Sequence, residues 1–297
     1  MRNLLVATAV VVLWGVGSLA QAPAQGQPQG AGRGGGQPVQ PIQMVKPGLY
    51  VVPGGGSNSI VRVTTEGVIL VDTKLPGEAN YTALLQQIRS VTPLPVKTVI
   101  VTHHHADHTG NNDRFIAAGA EVIGHAVLAS SLDTYQFDPR PAKPTVTYQT
   151  DRTVRLGGVE VRVLHLGRAH TGGDSVVYFP DVKVVATSDA VTTGTTGPLA
   201  DYAGGGSFVG FAPVLDAMLK LDFDTAIPGA GPVLTKADVQ AFRTKIGTVL
   251  DRASALVKAG VAPNQLLMQL KTDDLGWAPR IPMVDAFVAE LNASRKN

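Results

Sequence analysis

Val99-Ile100-Val101-Thr102-His103-His104-His105-Ala106-Asp107-His108, followed by Thr109-Gly110, is the stretch from which both the fold and the chemistry of this chain can be read. Its first four residues are all β-branched, the composition of a buried strand. The next six positions hold four of the chain's seven histidines and a carboxylate. Neutral imidazole is the commonest side-chain metal ligand, and carboxylate oxygen complements it for zinc, iron or manganese. His103 and His105, two apart at a strand's end, can fold onto one ion as the chain turns, with Asp107 and His108 directed to a neighbouring position. A solvated polar loop is the rival reading, and the internal position excludes a terminal affinity tag.

Working outward, the runs at residues 49–52, 59–64 and 68–71 are β-rich and separated by Gly-containing turns, which predicts a meander of paired strands. Tyr81, Leu84, Leu85 and Ile88 follow the i, i+3, i+4, i+7 spacing of an amphipathic helix that Pro93 and Pro95 end. A strand over 97–101 then carries the histidine cluster. Short helices are expected near 113–118 and 126–135, strands over 159–166, 175–179 and 182–187, and helices over 212–221, 236–258, 263–270 and 283–294. Two unequal halves of this kind predict two packed sheets with helices outside, an α+β architecture with function in the loops along one edge.

The amino terminus reads differently. Arg2, an apolar core from Leu4 to Val16 and Ser18-Leu19-Ala20 form the pattern of a secretory signal peptide over residues 1–20. Residues 21–41 are nearly all Gln, Gly, Pro and Ala, a spacer that buries little. The folded domain is expected over 42–297, in a periplasmic or secreted protein without stable membrane insertion after signal cleavage. The absence of cysteine leaves such a fold dependent on its core alone. A net charge of +2 and 16% charged residues give no sign of a nucleic-acid partner, so a small-molecule substrate is expected. No Gly-x-Ser-x-Gly elbow is present, and the Gly runs at 54–56 and 204–206 lack a P-loop Lys-Ser/Thr, so they read as loops flanking the site.

The string His103-x-His105-x-Asp107-His108 resembles the signature of the metallo-β-lactamase-fold hydrolases. Further pieces follow in that family's order: residues 57–60 and 67–73 like its opening strands, His170-Thr171-Gly172-Gly173-Asp174, Thr187-Ser188-Asp189-Ala190, and Ile227-Pro228-Gly229-Ala230-Gly231-Pro232. The resemblance implies a four-layer αβ/βα sandwich. It implies a first metal site of His103, His105 and His170, with an open coordination position for water. It implies a second site of Asp107, His108 and Asp189, with Asp189 bridging two ions and Asp107 also moving a proton as the catalytic carboxylate. The implied cofactor is Zn2+, with iron or manganese as alternatives. The implied reaction is attack of a metal-bound hydroxide on an ester, thioester, lactone or lactam.

One position departs from the pattern. Ala230 stands where the family's Pro-Gly-His-Gly places a histidine ligand of the second metal. A methyl group cannot coordinate, so one tightly bound ion and a weak second are expected. The competing reading is a non-catalytic metal- or ligand-binding relative. Asp72 is expected to orient a ligand. His104 is expected beside the site or in solvent, His125 as a polar cap and His165 in a structural role.

Overall fold

The computed structural model describes residues 37–294. The expected signal peptide and residues 21–36 of the expected spacer lie outside the described residues. Within that spacer, residues 37–41 lie against the domain: the Gly55 N–H donates to Gln37 O (2.9 Å) and the Gln40 N–H to Pro53 O (2.8 Å).

Seven strands, β1 (Gln43–Lys46), β2 (Leu49–Val52), β3 (Ser59–Val63), β4 (Val68–Val71), β5 (Val96–Ile100), β6 (Glu121–His125) and β7 (Val146–Tyr148), form one sheet in chain order. β1 to β4 are the antiparallel meander, and β4 to β7 run parallel. Parallel neighbours need crossovers. α1 (Glu78–Arg89) supplies the first, α2 (Ala106–Thr109) with α3 (Asn112–Ala117) the second, and α4 (Ala126–Thr134) the third.

The second sheet contains β8 (Asp151–Leu156), β9 (Val159–Leu164), β10 (Val176–Phe179) and β11 (Val184–Ser188) as an antiparallel run. β12 (Thr196–Leu199) leaves this sheet, while β13 (Thr225–Pro228) pairs parallel to β11 and β14 (Leu234–Thr235) closes the edge. α5 (Phe211–Leu219), α6 (Lys236–Lys258), α7 (Pro263–Gln269) and α8 (Val284–Ser294) cover its outer face. β15 (Ala278–Arg280) pairs parallel to β12 in a small separate sheet.

Side-chain alternation makes the layers. Along β4, Ile69 and Val71 enter the apolar layer between the sheets, where they join Val161, Val163, Phe179 and Ile227. Val68 and Leu70 face Leu84, Ile88, Phe115 and Leu128 of the helical layer. A strand covered on both faces is apolar throughout, which is why Val68-Ile69-Leu70-Val71 shows no polar alternation. The layers are helix, sheet, sheet, helix: the αβ/βα sandwich expected from the sequence.

The helices fall close to their expected positions because their caps and periodicities are local. The Thr235 hydroxyl accepts from the Asp238 N–H while the Asp238 carboxylate accepts from the Thr235 N–H, and this capping box starts α6. β12, β13, β14 and β15 were not foreseen. They are two to four residues long, too short to show a periodic pattern, and β12 and β15 find their partners only in each other, far apart in sequence.

Phe287 of α8 is fully buried against Phe208 of the outer core, with ring centroids 5.4 Å apart. Phe287→Ala should therefore lower the unfolding free energy by about 3–5 kcal/mol in a single cooperative denaturant transition. A cost below about 1 kcal/mol would show that the carboxy-terminal helix is not part of the domain core.

Candidate metal centre

Strand ends gather the candidate ligands. β5 runs into Thr102 and His103, Asp72 follows β4, and Ser188 ends β11 with Asp189 just after it. Asp72 and Ser188 both turn with positive φ, 61° and 48°. That conformation is costly for residues with a Cβ and aims both side chains at Thr102. Asp72 Oδ1 accepts the Thr102 N–H (2.8 Å), and Asp72 Oδ2 accepts both the Thr102 hydroxyl (2.8 Å) and a ring N–H from His108 Nδ1 (2.7 Å).

Hydrogen bookkeeping then fixes the histidine tautomers. The single Thr102 hydroxyl proton goes to Asp72, so the Ser188 hydroxyl, 2.6 Å away, donates to Thr102. His103 Nδ1–H in turn donates to Ser188 Oγ (3.2 Å), which leaves His103 Nε2 a lone pair. His170 Nδ1–H donates to the Leu199 carbonyl (2.9 Å), which leaves its Nε2 a lone pair. His105 Nε2–H donates to Asp201 Oδ2 (2.9 Å), which leaves its Nδ1 a lone pair. These three lone pairs converge: His103 Nε2 and His170 Nε2 lie 3.1 and 3.0 Å from His105 Nδ1.

With no proton between them, the nitrogens repel one another, and only a shared cation makes the arrangement favourable. Zn–N bonds of about 2.0–2.1 Å at tetrahedral angles space ligand nitrogens about 3.3 Å apart, close to what is found. Each ring is also held through its other nitrogen, as metal-ligating imidazoles are. The donor set fits a divalent ion.

The second group is arranged differently. His108 Nε2 lies 3.5 Å from Asp107 Oδ2 and 3.7 Å from Asp189 Oδ1, while Asp189 Oδ2 lies 3.6 Å from His170 Nε2. Asp189 thus spans the two groups, one oxygen toward each. A Cβ at residue 229 would lie 2.0 Å from Asp189 Oδ1, so a side chain there would displace the Asp189 carboxylate. The Asn58 side chain fastens the same loop by donating to Pro228 O (2.9 Å) and Gly231 O (3.0 Å), on either side of Ala230. The Ser57 hydroxyl donates to Asp107 O (2.6 Å).

Charge preferences separate the two groups. Burial, reinforced by the surrounding imidazoles, pushes His103 well below its ordinary value, and burial also lowers His170 despite the opposing charge of Asp189. Burial would lower His108 as well, but Asp107 and Asp72 outweigh it and raise this histidine well above its ordinary value. Charge is thus disfavoured on His103 and His170 and favoured on His108. A proton can satisfy the second group.

The expected candidates His103, His105, His170, His108, Asp189 and Asp107 thus lie together, all buried except the partly exposed Asp189. Asp72 orients His108 as expected. His104 is buried rather than solvent-facing, its Nε2 3.7 Å from Asp201 Oδ2. His125 caps α4 by accepting from the Val127 N–H and stacks on His165, with ring centroids 4.0 Å apart. The sequence reading missed Asp201, Ser188 in its hydrogen-bonded role, and Tyr135, whose hydroxyl accepts from the Ala106 N–H (3.1 Å) beside the rings of His104 and His105. The triple glycine just after Asp201 was the available signal.

The family model of the Metallo-beta-lactamase superfamily matches residues 52–230, more than half of the chain, and ends on Ala230. The chain belongs to that superfamily. It is 28% identical over 210 residues to the 2,4-dinitroanisole O-demethylase subunit alpha of Nocardioides sp. (strain JS1661), covering 69% of this chain and 62% of that protein. It is 34% identical over 132 residues to metallo-beta-lactamase IND-1 of Chryseobacterium indologenes, covering 43% of this chain and 52% of that one. The chain thus spans between half and two thirds of the length of these two relatives. A solved metallo-beta-lactamase from Pontibacter korlensis superposes with a TM-score of 0.62 at 21% identity, over 70% of this chain and 99% of that one. The DIM-1 metallo-beta-lactamase superposes at 0.60 and 18%, over 71% and 99%. These likenesses show the fold. Members of the superfamily are metal-binding hydrolases and related enzymes, and this chain carries residues arranged to hold a metal.

The buried histidines give a signed prediction for the metal-free protein. His103, His104, His125 and His170 are all held below the ordinary 6.5, His104 down to about 3, chiefly by burial. Below 6.5 the unfolded chain takes up protons at these four positions that the folded chain refuses. His108 acts oppositely, and its contribution is lost only as pH rises through its raised value. Four against one, the chelated protein should lose stability as pH falls from 7 to 5, which urea unfolding at each pH measures. Equal or greater stability at pH 5 would contradict burial of these four imidazoles in their neutral form.

Proposed function

We propose that this chain is an exported zinc-dependent hydrolase acting on an ester, thioester, lactone or lactam. The observation that carries the reading is the convergence of three ring lone pairs, each fixed by a hydrogen bond to the opposite ring nitrogen. His103, His105 and His170 would hold the ion, which when bound activates water at neutral pH and polarises the bond to be cleaved. Asp107 stands beside His108, its backbone carbonyl tied to Ser57, where its carboxylate can take a proton from the attacking water and pass it to the leaving group. Asp189, partly exposed and facing both groups, would keep the nucleophile's side of the site negative. With Ala230 in place of a fourth ligand, the second group of Asp107, His108 and Asp189 would hold its ion weakly.

Export is part of the proposal and rests on the amino-terminal pattern of Arg2, an apolar core and Ser18-Leu19-Ala20. Among the described residues, no helix is long and apolar enough to cross a membrane. Mass spectrometry of the protein recovered from the periplasmic fraction should find a chain beginning near residue 21. Full-length protein confined to the cytosol would reject export.

Metal analysis of the purified protein after dialysis should find one zinc per chain, and Ala230→His should raise this toward two. Two tightly held ions in the parent protein would refute the weak second site. A substrate panel should include a β-lactam, a lactone, a thioester and an aryl ester, together with 2,4-dinitroanisole, which a relative's name specifies. Turnover should vanish with chelator and return with zinc, iron or manganese being tried in parallel. Asp107→Asn should lower kcat by about 10²–10⁴-fold. A chain that binds its ion yet turns over no member of the panel would favour the non-catalytic alternative.

A further inference from the structure

We propose that Glu290, on the carboxy-terminal helix α8, is a positioning residue for the metal centre. It would act by pinning the loop over residues 201–207, which orients His105. The inference rests on the reading of His103, His105 and His170 as ligands. It adds a remote element, since the family match ends at residue 230 and Glu290 lies sixty residues beyond it.

Two of the three candidate ligands depend on one segment. Leu199 at the end of β12 gives its carbonyl to His170 Nδ1, and Asp201 gives its carboxylate to His105 Nε2. The segment lies along the loop of His170 through three backbone bonds: Asp201 N–H to His170 O (2.8 Å), Gly172 N–H to Gly204 O (2.9 Å) and Ser207 N–H to Ala169 O (2.9 Å). Its middle is Gly204-Gly205-Gly206. Close packing leaves no room for a Cβ at two of these. One at 204 would lie 2.4 Å from Asp201 Oδ2, and one at 206 would lie 2.4 Å from His170 O. Three consecutive glycines have the greatest backbone freedom to lose, so this loop needs anchors outside itself.

Glu290 supplies them. Its Oε2 accepts the Tyr202 hydroxyl (2.8 Å) and the Ser207 hydroxyl (2.9 Å), one on each side of the triple glycine. Both hydroxyls are themselves acceptors within the loop, Tyr202 from the Phe208 N–H (3.2 Å) and Ser207 from the Gly210 N–H (3.0 Å). Glu290 Oε1 accepts from Arg168 (3.2 Å), two residues before His170. One carboxylate thus ties together the segment that bears His170 and the segment that orients His105. Phe287, one turn earlier on α8, is fully buried, so the helix is a fixed base for this tie. An ordinary surface ion pair would join two exposed side chains and leave the backbone between them indifferent. Glu290 closes both ends of a loop that carries a hydrogen-bond partner of a ligand.

The test measures zinc affinity of the full chain by competition with a chromophoric chelator, with thermal stability recorded in parallel. Removing a direct partner of a metal-binding imidazole costs about 10–100-fold in affinity, so Asp201→Ala should fall in that range and Glu290→Ala near its lower end, about tenfold. Glu290→Gln, whose amide oxygen still accepts the two hydroxyls, should recover most of the affinity. Arg252→Ala breaks an ion pair with Asp274 in the same half of the molecule and should leave affinity unchanged, even where it lowers stability. Should Glu290→Ala fail to fold, Tyr202→Phe combined with Ser207→Ala removes the same two bonds from the other side and should weaken zinc binding to a similar extent. Unchanged affinity in Glu290→Ala or in that double variant, with Asp201→Ala weakened, overturns the role of Glu290 alone. A parent chain that binds no zinc overturns the metal-centre reading itself.

Discussion

Three imidazole nitrogens with their lone pairs directed at one point are a repulsive arrangement, and much of the structure around them serves to maintain it. The repulsion cannot be relieved by rotating a ring, because each ring is held at its far nitrogen: His103 by Ser188, His105 by Asp201 and His170 by the Leu199 carbonyl. Nor is it readily relieved by protonation, since burial and the neighbouring rings oppose charge on His103. What remains is a cation. The fold therefore stores, in hydrogen bonds made during folding, the orientation that binding an ion would otherwise have to impose.

The restraints come from different layers of the sandwich. Thr102 follows β5 in the first sheet and Ser188 ends β11 in the second, yet their hydroxyls lie 2.6 Å apart and share the proton chain that begins at Asp72. The distance between the sheets is thus coupled to the tautomer of His103. The apolar layer formed by Ile69, Val71, Val163 and Ile227 sets that distance. Close packing cannot easily yield by fractions of an ångström, so the core acts as a positioning element as well as a source of stability. Loops that cross the site are fastened rather than packed. Asn58 bridges the turn around Ala230, and Lys74, fully buried, donates to the carbonyls of Val52 and Ser57 that frame the 54–56 loop.

What could be read from the sequence was whatever is encoded locally. The β-branched run before His103, the spacing of Tyr81, Leu84 and Ile88, and the helical run over 236–258 each declare an element within a few residues, and each element is found. The histidine cluster declared its chemistry by composition alone. Asp201 did not, because an aspartate before Tyr-Ala-Gly-Gly-Gly has no meaning until the chain brings it 2.9 Å from a ring nitrogen 96 residues away. β12 and β15 were hidden for the same reason: each is short, and the pairing joins residues 196–199 to residues 278–280. For His104 the sequence left two places open, beside the site or in solvent, and the structure decides for the first, where it lies buried next to Asp201.

The two candidate groups differ most in what can neutralise them, and this gives Ala230 its physical meaning. Asp72, Asp107 and Asp189 surround His108, so a single proton on that ring offsets part of a negative cluster and meets the same electrostatic demand as a metal. An ion entering there must displace that proton, and with a methyl group at residue 230 it finds one ligand fewer to repay the exchange. At His103 and His170 burial opposes a proton instead, so an ion there meets less competition. The asymmetry therefore lies in the charge pattern as well as in the ligand count. A histidine at position 230 would restore the count, but it would leave the proton on His108 as a competitor. In the proposed metal centre, the balance between one ion and two would accordingly be set by pH together with the identity of that single residue.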